Sequence, residues 1–439
     1  MFNKFEEDDH PGKPKILFIG LVESTHTHAW IDLLNGSNFN VRLFALPSGC
    51  PSDDFSIRTY NTSPFNKANS DYCKNLYKGK LGIIFYHVNK LFSLRASSRS
   101  KIWRLLIWLW EKFFGYINSV FNYLGVENLF LTPEVWLKNI ILKWEPDIIQ
   151  TLGLYDGQGG MFYYNIRKKH KLENYGKWIL QLRGGSDLTL RRHDSKYQGE
   201  IHHVLQDCHQ IISDNRINIK YANELGVSSK KFAPIVPVPG TGGLDVKKLN
   251  ASSILPSKRQ RIILWPKAYE SVWSKAIPVL ESLRQAWGSL NPCKFYFLAM
   301  GPEVMTSYLG LPEEIKKHCK VFKHRIPREE VLELMKKARV VLIPSLVDGI
   351  PNSLYEAMAC GSFPIVSPLE TIKTVVKERE NVLFARNLYP DELATALIYA
   401  MSDDSLVDNA ANKNIKLVQQ IADRTTIRSK VMNYYYSVL

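Results

Sequence analysis

The stretch VVLIPSLVDGIPNSLYEAMACGSFPIVS, residues 340–367, contains the pattern from which the fold can be inferred. Residues 340–343 form a short apolar run rich in β-branched side chains, which is typical of a buried parallel strand, and Pro344 ends it. A second such run, Phe363–Val366, follows near the end of the stretch. The pattern predicts two strands joined by a loop and a helix, as in an α/β protein.

The helix between these strands has recognisable ends. Pro351 and Asn352 are predicted to begin it, because proline fits a first helical turn and asparagine fits a cap. Leu354 and Met358 belong to its inner stripe, and Gly361 ends it.

The loop before this helix is predicted to bind an anion. Backbone N–H groups point out of a helix start, and the helix dipole contributes ~0.3–2 kcal/mol towards a phosphate or carboxylate there. A glycine at position 349 lets a ligand approach the backbone closely. The candidate binding residues for this anion are Gly349, Ile350, Pro351, Asn352 and Ser353.

Two acids accompany this anion site, Asp348 in the loop and Glu356 in the helix. Carboxylates accept hydrogen bonds from hydroxyl groups, so the combination fits a sugar attached to a diphosphate. Asp348 would then bind sugar hydroxyls and Glu356 a ribose diol. A plainer interpretation is also open, in which Asp348 is a turn residue and Glu356 only favours the helix dipole.

The same stretch resembles the acid–seven residues–acid motif of retaining glycosyltransferases with the GT-B fold, family 4, which usually reads close to PS-x-x-E-G-x-P-x-x-x-x-E-A-M-A-x-G. The first acid here is Asp348 and not glutamate, so its carboxylate lies closer to the backbone, which affects the register of the sugar. The residues that match the motif are Pro344, Ser345, Gly349, Pro351, Glu356, Ala357, Met358, Ala359 and Gly361.

The resemblance implies an α/β fold of the GT-B type, in which two Rossmann-like α/β/α domains face an interdomain cleft. The donor, a nucleoside diphosphate sugar, would lie mainly against the second domain, and the acceptor would meet the first. At 439 residues the chain suits two α/β domains. Further apolar runs predict strands at Lys15–Gly20, 41–46, Ile148–Thr151, 178–182, Gln210–Ser213, 261–265, 294–299 and 321–323.

We place the domain boundaries by composition and by the same resemblance. The N-terminal Rossmann-like acceptor domain is expected over 1–250, with an aromatic and basic insertion at about 52–130. A polar, proline-containing linker leads to the C-terminal nucleotide-sugar-binding domain over 258–415. The resemblance implies that the helices of residues 416–439 return to the first domain.

Two further candidate site residues lie in the first domain. The sequence Ser24-x-His26-Thr27, followed by Trp30, resembles the S-x-H-T-x-x-W motif near the start of some family-4 enzymes. This resemblance implies that His26, in a loop over residues 21–28, contacts a substrate. A solvated or capping His26 is the alternative. Where the family often has H-G-x-D, this chain has Gly184 at the histidine position, and the preceding Arg183 would hold diphosphate oxygens. With Asp348 and Glu356, His26 and Arg183 are the candidate catalytic residues.

In the second domain, two cations and one glycine are predicted to bind the donor. The family usually has G-R and then K-G after the first strand of this domain, and Lys267 and Lys275 stand in those places. They would neutralise the diphosphate, although two ordinary surface lysines would look the same. Gly301 belongs to a turn that resembles the G-x-G turn beneath the nucleotide.

Residues 101–124, KIWRLLIWLWEKFFGYINSVFNYL, predict an unusually aromatic helix. It could lie in a membrane interface or pack inside the first domain.

Lys and Arg number 57 against 42 Asp and Glu, a net charge of +15, which favours an anionic partner. We expect an anionic membrane surface and no nucleic acid, because the cations are scattered and no nucleic-acid module is recognisable.

The remaining features concern location and cofactors. The six cysteines show no C-x-x-C pairing, which fits a reducing cytosol. Residues 1–15 are polar and acidic without an apolar signal core, and no 18-residue uncharged run occurs, so we expect no spanning helix. No D-x-D motif or metal-ligand cluster stands out, so we expect no metal and no cofactor besides the donor substrate.

The predicted function is a metal-independent, retaining glycosyltransferase that moves a sugar from a nucleoside diphosphate sugar to a glycan or lipid-linked acceptor. Its expected role is cell-surface polysaccharide or lipopolysaccharide synthesis, in the cytoplasm and peripheral on the inner face of the plasma membrane. Two alternatives stay open: a sugar-nucleotide epimerase of the same fold, and a GT-B partner that binds without catalysis.

Overall fold

The computed structural model describes residues 8, 10–22, 24–46, 55–61, 109, 112–113, 133–155, 159–184, 186–251, 254–324 and 326–439. Most of the insertion predicted at about 52–130, including nearly all of the aromatic helix, therefore lies outside the described residues. In the part of the chain that is described, no helix is both long enough and apolar enough to cross a bilayer. The choice between a membrane-interface helix and an interior helix stays a prediction.

Two six-stranded sheets organise the chain, and the first has the strand order β3-β2-β1-β4-β5-β6. This is the order of a Rossmann-type, doubly wound sheet. The paired strands β1 and β2, β1 and β4, β2 and β3, and β4 and β5 are parallel. The strands are β1 (Lys15–Gly20), β2 (Asn40–Ala45), β3 (Arg58–Asn61), β4 (Ile148–Thr151), β5 (Lys177–Leu182) and β6 (Gln210–Ser213).

The second sheet repeats this topology, with the order β12-β11-β10-β7-β8-β9 and parallel pairing throughout. Its strands are β7 (Gln260–Trp265), β8 (Lys294–Leu298), β9 (Cys319–Phe322), β10 (Ala338–Ile343), β11 (Phe363–Val366) and β12 (Leu383–Phe384). The predicted α/β architecture with two Rossmann-like sheets is confirmed.

Helices connect the strands of both sheets. They are α1 (Thr25–Ile31), α2 (Pro133–Trp144), α3 (Gly160–Lys169), α4 (Ser195–Asp207), α5 (Ile217–Glu224), α6 (Val246–Asn250), α7 (Ile277–Leu290), α8 (Pro302–Leu309), α9 (Glu313–Lys316), α10 (Arg328–Lys337), α11 (Asn352–Ala359), α12 (Glu370–Lys373), α13 (Pro390–Ser402), α14 (Asp404–Ala422) and α15 (Arg424–Val438). Short 3₁₀ or π turns lie at Asp32–Leu34, Ser186–Leu190, Arg191–His193, Ser229–Lys231 and Pro256–Lys258.

The predicted strands agree with the observed ones to within two residues at each end, and β1, β4, β6 and β11 have the predicted bounds. Continuous apolar runs mark these strands because helices cover both faces of a parallel sheet. The short edge strands β3 and β12 were not predicted, since neither has such a run.

The chain divides into two compact units. Unit 1 comprises residues 1–182, 199–211 and 435–439, and unit 2 comprises residues 183–198 and 212–434. In unit 1, Tyr435 accepts a hydrogen bond from the Trp30 indole (3.1 Å) and donates one to Gln150 (2.6 Å), which fastens the C-terminal residues to the buried centre of the first sheet.

In unit 2, successive residues of the central strands point into different cores. Ile263 and Val340 belong to the core that α7 and α13 cover, whereas Leu264 and Val341 belong to the core that α10, α11 and α14 cover. Every residue of β10 is buried. Successive residues of these strands therefore pack against helices on opposite faces of the second sheet.

Candidate active site

The candidate site begins at the carboxyl ends of β7 and β10, which are neighbours in the second sheet. The connection after β7 leads to β8 on one side, and the connection after β10 leads to β11 on the other. A doubly wound sheet binds its ligand at such a switch point. Lys267 follows β7 and Asp348 follows β10, so two of the predicted site residues flank this switch point.

Asp348 is partly buried in the loop between β10 and α11. Burial raises the pKa of this carboxyl above its ordinary value, against the opposing effects of the Lys267 charge, the Gly349 N–H and the Ser345 hydroxyl. The Lys267 ammonium is therefore close enough to Asp348 to favour the ionised form of its carboxyl.

A second carboxylate, Asp214, lies beside Asp348 and was not singled out from the sequence. It follows β6 and is only 7% exposed. Burial raises its pKa to about 6, and the nearby charge of Asp348 adds to that rise. Its Oδ1 accepts a hydrogen bond from the Asn215 side chain (2.7 Å), and its Oδ2 accepts one from the Gly184 N–H (3.3 Å).

Asp214 also explains the glycine at position 349. A Cβ added to Gly349 would overlap the Asp214 Oδ2 atom. The φ angle of Gly349 is not in the left-handed region, so steric contact and not backbone conformation requires glycine here. The sequence suggested that a ligand approaches the backbone closely at Gly349. In the structure, the Asp214 carboxylate lies where the Cβ of residue 349 would be.

The helix start after this loop differs by one residue from the prediction. α11 begins at Asn352 with Pro351 in the N-cap position, and Asn352 does not cap it. The Asn352 side chain instead accepts a hydrogen bond from the Thr241 hydroxyl (3.2 Å), because that hydroxyl lies within reach of the first turn. Ile350 is 5% exposed and Pro351 is buried, so their side chains pack inwards.

Ser353 lies in the first turn of α11, 4% exposed, and its hydroxyl has no hydrogen-bond partner among the described residues. A buried hydroxyl without a partner costs ~1–3 kcal/mol. It lies at the helix start that the sequence predicts to bind an anion, where a hydroxyl can donate to a phosphate oxygen.

Glu356, on the same helix, is paired with a residue that the sequence analysis did not name. The Arg328 guanidinium, at the start of α10, donates two hydrogen bonds to Glu356 Oε1, of 3.0 and 2.8 Å. The Glu356 side chain is 13% exposed and the Arg328 side chain 45%. Arg328 therefore fixes one carboxylate oxygen of Glu356, Oε1.

Lys275 is held by two residues of its surroundings. Its ammonium lies 2.6 Å from Glu270 Oε1, and Glu270 Oε2 accepts the Ala276 N–H (2.8 Å). Asn387 binds the Lys275 backbone, accepting its N–H (3.0 Å) and donating to its carbonyl (3.1 Å). A diphosphate that used Lys275 would have to compete with Glu270 for its charge.

Gly301 is the N-cap residue of α8, at the carboxyl end of β8. Two residues earlier, Ala299 has a φ of +55°, which is a strained conformation for a residue with a side chain. Such strain is often found at ligand-binding turns.

The other candidates lie in separate units. Arg183, in unit 2, donates its backbone N–H to Asp187 Oδ2 (2.7 Å) and precedes Gly184, whose φ is +65°. His26, in unit 1, is exposed. The prediction that His26 lies in a loop is wrong, since α1 already begins at Thr25 with Ser24 in its N-cap position. Apolar periodicity shows a helix only where its buried face begins, so the exposed first turn was missed.

Among the residues that the structure describes, no group of three or more His, Cys, Asp or Glu side chains is arranged to hold a metal ion.

Solved structures place this fold among the GT-B glycosyltransferases. The Anabaena protein HepE, solved in complex with UDP and glucose, superposes with a TM-score of 0.62 over 97% of this chain and 100% of that one, at 13% identity. The lipopolysaccharide outer core galactosyltransferase WaaB, in its apo form, superposes with a TM-score of 0.59 over 97% of this chain and 100% of that one, at 13% identity. Structural similarity at 13% sequence identity establishes the fold alone, and the predicted GT-B type of fold is confirmed.

Sequence comparison makes the class more specific. Residues 303–417 match the family described as glycosyl transferases group 1. The matched stretch includes α10, β10, α11 and β11. A Campylobacter jejuni protein, N,N'-diacetylbacillosaminyl-diphospho-undecaprenol alpha-1,3-N-acetylgalactosaminyltransferase, is 22% identical over 241 residues, 53% of this chain and 61% of that protein's length. The resemblance of residues 340–367 to GT-B glycosyltransferases is confirmed, and the narrower assignment to family 4 stays a prediction.

Proposed function

We propose that the protein is a retaining glycosyltransferase that moves a sugar from a nucleoside diphosphate sugar to a glycan or lipid-linked acceptor. The observation that carries this proposal is the convergence of Lys267, Asp348 and the start of α11 at the switch point of the second sheet. The group 1 match covers the part of this site that contains Asp348 and α11.

The diphosphate would lie at the start of α11. The first-turn N–H groups, the Ser353 hydroxyl and the Lys267 ammonium all stabilise negative charge. That charge grows when the bond between the sugar and the diphosphate breaks, so donors held in place beforehand lower the barrier. Lys275 joins them if the diphosphate displaces Glu270.

The two acids would act on the rest of the donor. Asp348 accepts hydrogen bonds from the sugar hydroxyls and, when ionised, stabilises positive charge at the anomeric carbon. Glu356 accepts a ribose hydroxyl through Oε2 while Arg328 holds Oε1. We assign no general base, in keeping with attack on the same face from which the diphosphate leaves.

Metal independence is part of the proposal. Lys267 and Lys275 supply the positive charge that a divalent cation supplies in other phosphate sites. Sugar transfer should therefore continue in EDTA. A loss of transfer in EDTA that Mg²⁺ or Mn²⁺ restores would contradict this.

We further propose that the acceptor is a lipid-linked glycan, used in cell-surface polysaccharide or lipopolysaccharide synthesis on the inner face of the plasma membrane. The name of the Campylobacter relative specifies a diphospho-undecaprenol acceptor, and the net charge of +15 suits an anionic membrane surface.

The decisive test is a transfer assay with a panel of UDP, GDP and dTDP sugars, with and without a lipid-linked acceptor. The wild-type protein should transfer one sugar with retention of the anomeric configuration. Asp348→Asn should lower kcat by ~10²-fold or more, because the ionised carboxylate is lost. Asp391→Asn, a matched change at an exposed carboxylate of α13, should leave it unchanged.

Three other outcomes of this assay would contradict parts of the proposal. Conversion of the donor sugar in the absence of any acceptor would favour an epimerase. Inversion of configuration would contradict the retaining mechanism. Full activity of Asp348→Asn would remove that residue from the site.

A further inference from the structure

The loops that follow three strands of the chain meet at one carboxylate oxygen, Oδ2 of Asp214. Oδ2 of Asp214, after β6, accepts the N–H of Gly184 in the loop after β5 at 3.3 Å. The same oxygen fills the place where a Cβ of Gly349, in the loop after β10, would lie. All three residues belong to unit 2.

Asp214 is itself held firmly. Its Oδ1 accepts a hydrogen bond from the Asn215 side chain, and Asn215 Oδ1 accepts the N–H of Asn218 (3.1 Å). The Asn218 side chain in turn donates to the Ser213 hydroxyl (2.9 Å). All four side chains are buried. These hydrogen bonds hold the Asp214 carboxylate in a fixed position.

We infer that Asp214 is a positioning residue for sugar transfer, which holds the Gly184 loop and the Asp348–Gly349 loop against one carboxylate so that Asp348 is fixed beside Lys267. The inference rests on the proposed function for the reaction that is positioned. The contacts among Asp214, Gly184 and Gly349 stand without it.

The charges of Asp214 and Asp348 are also coupled. Among the described residues, Asp348 and Tyr355 are titratable groups coupled to Asp214, and the Lys267 charge acts on Asp348. Burial and the charge of Asp348 raise the pKa of Asp214 to about 6, so Asp348 ionises before Asp214. Ionisation of Asp214 near pH 6 then adds a second negative charge beside Asp348.

The first experiment compares wild type, Asp214→Asn and the exposed-site control Asp391→Asn in the transfer assay, from about pH 5 to about pH 8. Asn215 donates to Oδ1 of Asp214 and Gly184 to Oδ2, and asparagine has an NH2 group in place of one of these oxygens, so one of the two hydrogen bonds is lost. We expect kcat to fall ~10- to 100-fold, and the change in activity that accompanies ionisation of Asp214 near pH 6 in the wild type to be absent from the variant. Replacement of a merely structural residue would not remove that change.

The second experiment tests the steric contact between Gly349 and Asp214, and it can be carried out even if Asp214→Asn fails to fold. Gly349→Ala should clash with Asp214 and lower kcat, whereas Gly288→Ala, in α7 with no heavy atom within 4 Å of the new Cβ, should not. The double variant Gly349→Ala with Asp214→Ala should melt at a higher temperature than additivity of the single variants predicts, because the clash is gone.

The outcomes separate the two proposals. If the wild type transfers sugar while Asp214→Asn keeps its kcat and pH profile, or Gly349→Ala behaves like Gly288→Ala, the inference about Asp214 is wrong. If the wild type transfers no sugar from any donor, the proposed function is wrong. The melting temperatures of the double-variant series then still decide whether Asp214 and Gly349 are coupled.

Discussion

At the scale of single residues, the buried carboxylate of Asp214 makes the stability of the protein depend on pH. Its pKa of about 6 lies above the ordinary value of an aspartate, so the folded chain holds this proton more tightly than the unfolded chain. The stabilisation from that proton is fully present below about pH 4 and is lost as the pH rises through about 6. At neutral pH the buried charge costs roughly 3 kcal/mol.

The substitution Asp214→Asn removes this cost. The melting temperature of the variant relative to wild type should therefore rise between about pH 4 and about pH 7, in thermal denaturation followed by circular dichroism. Asp391→Asn, with its exposed carboxylate, should show no such trend. Parallel melting curves for wild type and Asp214→Asn at all pH values would show that Asp214 titrates normally.

Arg328 offers a second test at this scale. Because Arg328 holds Glu356 Oε1, Arg328→Ala should weaken the contact of Glu356 with the donor ribose and raise the donor KM several-fold with little change in kcat. The loss should be smaller for a donor with 2′-deoxyribose, which offers only one of the two hydroxyls. Arg284→Ala, which breaks an exposed pair with Glu281 on α7, is the control. An equal loss for both donors would separate Arg328 from ribose recognition.

At the scale of the element, the start of α11 combines a stability cost with a predicted binding role. Ser353→Ala removes a buried hydroxyl without a partner, so the free energy of unfolding should stay constant or rise by ~1 kcal/mol. The affinity for a nucleoside diphosphate should fall, since one donor to the phosphate is lost.

Ser282→Ala is the matched control for this helix. Ser282 is also buried in a helix, but its hydroxyl donates to the Val279 carbonyl (2.7 Å), so its removal should lower stability and leave nucleotide affinity unchanged. Urea denaturation and calorimetric titration with UDP or GDP give both quantities. If Ser353→Ala destabilises the protein as Ser282→Ala does and binds the nucleotide normally, Ser353 is not a phosphate ligand.

Elements with a strong local pattern could be predicted, and contacts between distant elements could not. β11 has the predicted bounds because a run of buried apolar residues is visible in the sequence itself. The contact of Asp214 with Gly349 joins positions 135 residues apart, 349 minus 214, and nothing in the local pattern of either residue indicates the other. The pairing of Glu356 with Arg328 was missed for the same reason, since it depends on how α10 and α11 pack.

At the scale of the whole molecule, the net charge of +15 leads to a prediction about membranes. The protein should sediment with vesicles that contain anionic lipid, and binding should weaken as salt rises from low to physiological ionic strength, because screening shortens the range of the attraction. Vesicles of neutral phosphatidylcholine are the control. Equal binding to both kinds of vesicle, or none to either at low salt, would contradict a charge-driven membrane partner.

We propose that Lys267 and Asp348 mark the binding site of a nucleoside diphosphate sugar. Calorimetric titration of wild type and Lys267→Ala with a nucleoside diphosphate, and with the corresponding nucleoside, tests this proposal. Loss of the ammonium should weaken binding of the diphosphate ~10-fold or more and leave binding of the nucleoside unchanged. Equal affinity of both proteins for the diphosphate would contradict the claim.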